Sequence, residues 1–469
     1  MKKQAVNPYL PLDEYVPDGE PRVFDNRLYI FGSHDRSHGN RFCMNDYVGW
    51  SAPCDNLADW RYEGVIYRKT DDPNNPEKDA MYAPDVVKGP DGRYYMFYGH
   101  GSRKPPEQWC INVAVCSTPA GRYQYYGRIE LSPWSESYFP FDPAVLVDED
   151  GRVWLYYGFG SGDWRKGNKG RGGAVVELAP DMLTVLSEPG ATLPNKYTNT
   201  DETLQGHAFF EASSIRKING KYYFIYSSQL SHELCYATAD APDGPFRYRG
   251  VLISNGDYGL NGNTVFRNWW GNNHGSLVEI EGTWYIFYHR HTQQSAFSRQ
   301  GCAEKITMSE KGDFVQAECT SCGLNQGPLL AKGKYSAVIA ANLYNGADTS
   351  ESICCRRAKG TYFDEETAQG VRTHMIKRFG SSAHAVYKYF LFEGETGIQI
   401  RIKGKAKGVF TVIVAGDKTD IPIDIQGKEW ESITGVIRFQ GESAMEFLYS
   451  GTGTFAIRDF GFTEREAHS

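Results

Sequence analysis

No window of the 469-residue chain is apolar for long enough to cross a membrane, and the opening MKKQAVNPYLPLDEY has two lysines but no apolar stretch of signal-peptide length behind them. A cytoplasmic protein is expected. Runs of like charge are missing as well: 50 Lys and Arg lie scattered among 57 Asp and Glu, for a net charge of −7, which argues against a nucleic-acid partner. The ten cysteines follow no disulfide framework. Cys354 and Cys355 are adjacent, which is awkward for an ordinary disulfide, and Cys319-x-x-Cys322 has no second pair at zinc-ribbon spacing. Reduced, structural thiols are expected. Helical periodicity is scarce, and nothing points to an organic cofactor or declares an oligomer.

What the chain does have is aromatic residues, 14% of the total, and a repeat. DNRLYIFGSHD, DGRYYMFYGHG, DGRVWLYYGFG, NGKYYFIYSSQ and EGTWYIFYHRH begin at Asp25, Asp91, Asp150, Asn219 and Glu281. The second turn residue of each (Asn26, Gly92, Gly151, Gly220, Gly282) marks separations of 66, 59, 69 and 62 residues. Each copy reads as a short apolar strand, a tight turn and an aromatic strand, with a second strand pair further along. Five four-stranded antiparallel units predict an all-β, five-bladed β-propeller over residues 1–317. A long β-sandwich is the competing fold, but it does not explain the repeated order.

A polar residue stands seven to nine positions ahead of each turn marker: Asp18, Asp85, Asp142, Glu211 and His274. Taken singly, each reads as a turn or strand-cap residue. In a propeller, the starts of the first strands converge on one mouth of the central channel, so together these residues predict a cluster of carboxylates and one imidazole. Crowded carboxylates raise each other's pKa, which sets a proton donor beside a proton acceptor and suits acid/base hydrolysis.

With its motifs PDGEPRVFDNRLYIFGSHD (17–35), MYAPDVV (81–87), FDPAVLVDEDGRVWLYYG (141–158), FFEASSIRKINGKYYFIYS (209–227) and NNHGSLVEIEGTWYIFYH (272–289), the chain resembles glycoside hydrolase family 43. The resemblance implies an inverting glycosidase. It makes Asp18 the general base, Asp142 the carboxylate that raises and orients the acid, and Glu211 the general acid. The family usually has Asp-Pro at the base. Here Asp18-Gly19-Glu20-Pro21 offers two carboxylates, of which Asp18 keeps the shared offset. His274 matches a position facing a channel ion, often calcium, held mainly by water, so that its role is indirect; it reads otherwise as a core histidine. Arg299 resembles an arginine that reaches the sugar, and reads otherwise as a loop arginine. Tyr82, Asp85, Phe31 and Trp109 are candidates for the pocket, with ordinary core as the alternative for the rings.

After a joint at 318–330, residues 331–469 change texture. GIQIRIKG, GVFTVIVAG, DIPIDIQG, WESITGVIRFQG, SAMEFLYSG and TFAIRDFGFTE read as short strands between glycine turns, a β-sandwich of jelly-roll type. It resembles the family 6 carbohydrate-binding modules, and a structural brace is an equal reading. The function expected is exo-hydrolysis of β-1,4-xylosyl or α-L-arabinofuranosyl linkages in short oligosaccharides, the expected partner. An endo-acting arabinanase and a non-catalytic glycan-binding propeller are the rivals. Sialidases are disfavoured, because their Ser-x-Asp-x-Gly-x-x-Trp boxes are absent.

Overall fold

The computed structural model describes residues 4–75, 79–101, 109–160, 169–345, 352–353 and 360–463; Cys354 and Cys355 lie outside them. Five antiparallel sheets follow one another along the chain, each in simple up-and-down order. Their first strands are Glu20–Phe24, Met81–Lys88, Ala144–Val147, Phe209–Ile218 and Leu277–Ile280. Sheets one to four have four strands and the fifth has three. The N-terminus lies along the outer edge of the fifth: Tyr9 N donates to Gly301 O, and the Asn7 side chain exchanges bonds with Ala303. Gly19 and Gly275 bridge the first strands of blades one and five, closing the ring.

The aromatic strands explain why the blades pack. Side chains alternate between faces with a period of two, so one strand feeds two different interfaces. Tyr94, Met96 and Tyr98 join the core between blades one and two, whereas Tyr95 and Phe97 join the core between two and three. Tyr222, Phe224 and Tyr226 face blade three, and Tyr223 and Ile225 face blade five. Each fully buried ring contributes roughly 1.5–3 kcal/mol.

The hairpin turns come in two lengths. In blades one, four and five the ladder closes around two residues, Asp25-Asn26, Asn219-Gly220 and Glu281-Gly282, all with positive φ as a type I′ turn requires. In blades two and three, Gly89 pairs with Arg93 and Asp148 with Arg152, leaving three-residue loops. That one extra residue shifts every offset counted back from the turn.

The C-terminal sheet differs from the expected set of short strands. Ala383–Val414 and Glu431–Thr463 run as long, bent strands paired along most of their length, and the sheet curls around one core. Gly394 (φ 120°) and Gly441 (φ 121°) mark bends within these strands rather than turns between them, because glycine in a strand interior lets the backbone turn a corner.

Candidate active site

Ladder partners align the first strands ring by ring. Glu20 pairs with Phe31, Asp85 with Phe97, Ala144 with Tyr156 and Ser214 with Ile225, while Phe287 N donates to Ser276 O. Two residues earlier comes the ring at the mouth: Asp18, Ala83, Asp142, Ala212 and His274. Asp18, Ala83, Asp142 and Ala212 all adopt positive φ (56°, 34°, 46° and 66°). Glu211 reaches the same level from the position before Ala212, where the ladder is irregular.

Asp18 is buried, with Oδ1 accepting from Arg299 Nη1 at 2.8 Å. His289 Nε2 lies 2.7 Å from the Asn272 carbonyl, which can only accept, so that nitrogen carries a proton, and Nδ1 lies 3.3 Å from Asp18 Oδ1. Burial alone would raise the Asp18 carboxyl. The Arg299 guanidinium and His289 outweigh it and hold the group well below the usual carboxylate range. Asp142 and Glu211 go the other way. Burial, then the charges of Glu211 and Asp18, raise Asp142; burial, then Asp18, push Glu211 up to about 8, with Arg299 opposing. The retained proton belongs to this pair as a unit. Asp142 Oδ2 accepts from Ala212 N at 2.9 Å and lies 3.5 Å from His274 Nδ1, whereas Glu211 is partly exposed. Burial lowers His274 to about 4, so its ring is neutral.

One side of the mouth is aromatic. Tyr82 contacts Trp109 and Phe141 at 5.6 and 5.4 Å, Phe141 contacts Phe159 at 5.5 Å, and Phe159 contacts Phe210 at 5.1 Å, a continuous wall from blade two to blade four. All five residues are half-buried.

Three expectations are corrected. Phe31 has no exposed surface and packs in the core between blades one and two, so it cannot touch a sugar. Asp85 belongs to the second ring, level with Glu20, because its blade has the longer loop. Its carboxylate is held by Arg22 at 2.6 and 2.8 Å and by Val145 N at 2.8 Å, away from any substrate. Arg299 is not a loop arginine: it lies in the strand Ser295–Lys305, 2% exposed, clamped between Asp18 and both oxygens of Asp35, with Phe42 4.8 Å from its guanidinium, so that it acts on Asp18.

Asp35, His289, Phe141 and Phe159 were not singled out from sequence. A usable signal existed, since each aromatic strand returns the chain to the mouth: Asp35 follows the strand Arg27–Phe31, and His289 lies in the last part of the strand Thr283–Thr292.

Calcium, implied by resemblance at His274, takes about six to eight oxygen ligands. The acidic side chains of the second ring, Glu20 and Asp85, are both paired with guanidinium groups: Glu20 Oε1 lies 2.6 Å from Arg216 Nη2, and Asp85 is held by Arg22. Among the described residues, the one cluster of three His, Cys, Asp or Glu ligand atoms within 4.8 Å of one another is His207, Glu233 and Cys235 in blade four, away from the channel rings. The acidic side chains of the channel therefore do not fit calcium as direct ligands.

Comparison with known proteins follows the same lines. The model of the family described as glycosyl hydrolases family 43 matches residues 25–314. A xylosidase/arabinosidase of Thermoclostridium stercorarium is 45% identical over 98% of this chain and 99% of its own length. A family 43 arabinoxylan arabinofuranohydrolase structure from Bacillus subtilis, 20% identical, covers 99% of both chains with a TM-score of 0.53, a likeness of fold along the whole length. A β-xylosidase/α-arabinofuranosidase structure from a compost metagenome, in complex with xylotriose and described as a calcium-free form, is 27% identical with a TM-score of 0.52. It covers 65% of this chain and 94% of that one.

Proposed function

The chain belongs to glycosyl hydrolase family 43, and from that premise we propose that it is an inverting exo-glycosidase releasing β-1,4-xylosyl or α-L-arabinofuranosyl residues from xylo- and arabinoxylo-oligosaccharides. The observation that carries this reading is the gathering of three carboxyl groups at one mouth, Asp18 paired with Arg299 at 2.8 Å and Asp142 held by Ala212 N beside Glu211, an arrangement that lowers the proton affinity of Asp18 and raises that of the other two.

In this mechanism Asp18 takes a proton from water, and the water oxygen bonds to the anomeric carbon from the face opposite the leaving oxygen. Glu211 gives its proton to that leaving oxygen as the glycosidic bond breaks, so the anomeric configuration inverts. Glu211 is the donor because it is the partly exposed member of the pair; Asp142 is buried and anchored by Ala212 N. Burial and the Asp18 charge keep the proton on Glu211, and burial with the Glu211 and Asp18 charges opposes ionisation of Asp142. Tyr82, Trp109, Phe141 and Phe210 offer ring faces to the sugar. Calcium is assigned no step, because Glu20 and Asp85 are already paired.

The test compares wild type with Glu211→Gln. On xylobiose or an arabinoxylo-oligosaccharide, kcat is expected to fall by roughly 10²–10⁴, the range for losing a general acid. On a nitrophenyl xyloside, whose leaving group needs little protonation, the loss is expected to be far smaller. Undiminished turnover of the natural oligosaccharide by Glu211→Gln overturns the acid assignment. Release of the sugar with retained configuration, read by proton NMR of the first-formed anomer, overturns inversion.

A further inference from the structure

We infer that Arg22 and Arg216 hold the place of a channel cation in this protein, so that the propeller axis is built around a fixed pair of guanidinium groups and works without a metal ion. The third ring down the channel is Arg22, Val87, Leu146, Arg216 and Val278, two residues below the ring of Glu20 and Asp85. Three of its five members are apolar. The two arginines are the exceptions, and a guanidinium placed in such a channel must be paired to be tolerated.

Both are paired, and both reach across blades. Arg22, from blade one, holds Asp85 of blade two through Nε and Nη2 and touches Val145 O of blade three at 3.3 Å. Arg216, from blade four, donates to Leu277 O of blade five at 2.7 Å and to Pro21 O of blade one at 3.0 Å. Its Nη2 also lies 2.6 Å from Glu20 Oε1, which accepts from Ser214 Oγ at 3.1 Å. Between them the two side chains bind all five first strands. Two guanidinium groups also bring the same double positive charge to Glu20 and Asp85 that a divalent ion would bring. Unlike an ion, they cannot be removed by a chelator.

The clamp lies directly beneath the chemistry. Asp18 stands two residues before Glu20, so the pairing of Glu20 with Arg216 at 2.6 Å and with Arg22 at 3.5 Å fixes the start of the strand that follows Asp18. Arg22 and Arg216 are therefore positioning residues. Without Arg22 the buried Asp85 carboxylate keeps the Val145 N–H but loses its cation, and without Arg216 Glu20 keeps the Ser214 hydroxyl and Arg22 3.5 Å away; either loss leaves an under-neutralised carboxylate to which calcium can bind.

The experiment measures metal content, melting temperature and kcat/KM on xylobiose, each after exhaustive chelation and again with added calcium, for wild type, Arg22→Gln, Arg216→Met and Asp85→Asn/Arg22→Gln. Wild type is expected to hold no stoichiometric metal and to change less than about twofold in kcat/KM, within the scatter of uncoupled effects. Arg22→Gln and Arg216→Met are expected to melt lower and to lose on the order of 10- to 100-fold in kcat/KM through displacement of Asp18. Calcium is expected to bind these two variants and recover part of both losses. Asp85→Asn/Arg22→Gln, which removes both partners, is expected to ignore calcium. Stoichiometric calcium in wild type, with melting temperature lost on chelation and restored by calcium, overturns the inference. So does an equal calcium response in Asp85→Asn/Arg22→Gln. If a variant does not fold, the wild-type measurements decide alone. Metal content and melting are read without substrate, so they stand apart from the choice of oligosaccharide.

Discussion

Arg299 touches Asp18 and, through its charge, also lowers Glu211, so a single cation governs both ends of the proton path. The sign of its effect is the same at both: it stabilises the ionised form. With Asp18 held far down, kcat/KM is expected to stay level into acid, and with Glu211 near 8 it is expected to fall above about pH 8 as the pair loses its proton. Arg299→Gln removes the cation and is expected to move both limbs of the pH profile upward, the acidic one into measurable range. A profile whose limbs stay put shows that Arg299 does not set either group. Glu211 also has a cost in stability. Its folded pKa lies above the ordinary value, so at pH 7 the unfolded state ionises more readily than the folded one. Glu211→Gln is expected to stabilise the fold by about 1–3 kcal/mol at pH 7, with the gain vanishing below about pH 4, as read by denaturant melts at the two pH values.

At the scale of the strand, the site depends on four first strands with a positive-φ residue just before or just inside their start. Ala212 (φ 66°) turns its N–H onto Asp142. Ala212→Gly keeps that geometry without Cβ strain, whereas a β-branched residue fits the left-handed region badly, at a cost of roughly 1–2 kcal/mol. Ala212→Val is accordingly expected to melt lower and lose kcat, and Ala212→Gly to keep both. Equal behaviour of the two variants argues against the strained turn as the feature that aims the N–H. Loop length is also where sequence reading met its limit. The repeated hairpins were legible because strand alternation and turn residues are local signals, and they carried Asp18, Asp142 and Glu211 to one mouth. Asp85 was misplaced by one ring, because KGPDGRY closes a three-residue loop and FDNRL a two-residue one, so equal counts do not mean equal depth. Arg22 and Arg216 were passed over, since nothing local distinguishes an arginine reaching across an axis from one at the surface. In the C-terminal sheet glycine was read as a turn, and only tertiary pairing reveals that Gly394 and Gly441 bend continuous strands.

The whole molecule raises the question of what the C-terminal sheet is for. Trp430, the one tryptophan in that sheet, has Lys403 and Arg458 4.9 and 5.2 Å from its ring, so its aromatic surface is already engaged. The contacts with the propeller are extensive and polar. Lys388 Nζ pairs with Asp257 and Glu318, Arg290 donates to Val338 O, and Gln293 N donates to Phe363 O. One of them reaches toward the chemistry. Glu365, on the strand Tyr362–Ala368, accepts from Tyr15 Oη, Ser37 Oγ and His374 Nε2. Ser37 lies two residues after Asp35, the partner that orients Arg299 against Asp18. Burial would raise Glu365, but those hydrogen bonds outweigh it and hold the group down to about 2. Its contribution to stability is therefore full above about pH 4.5 and is lost as pH falls toward 2. Glu365→Gln is expected to lower the melting temperature at pH 7, to show a smaller deficit near pH 3, and to reduce kcat/KM by moving Asp35 and with it Arg299. If the sheet were an independent glycan-binding module, Glu365→Gln would leave turnover of xylobiose untouched, since a substrate of two sugars needs no second site; a reduced kcat on that small substrate marks the sheet as a brace for the catalytic mouth.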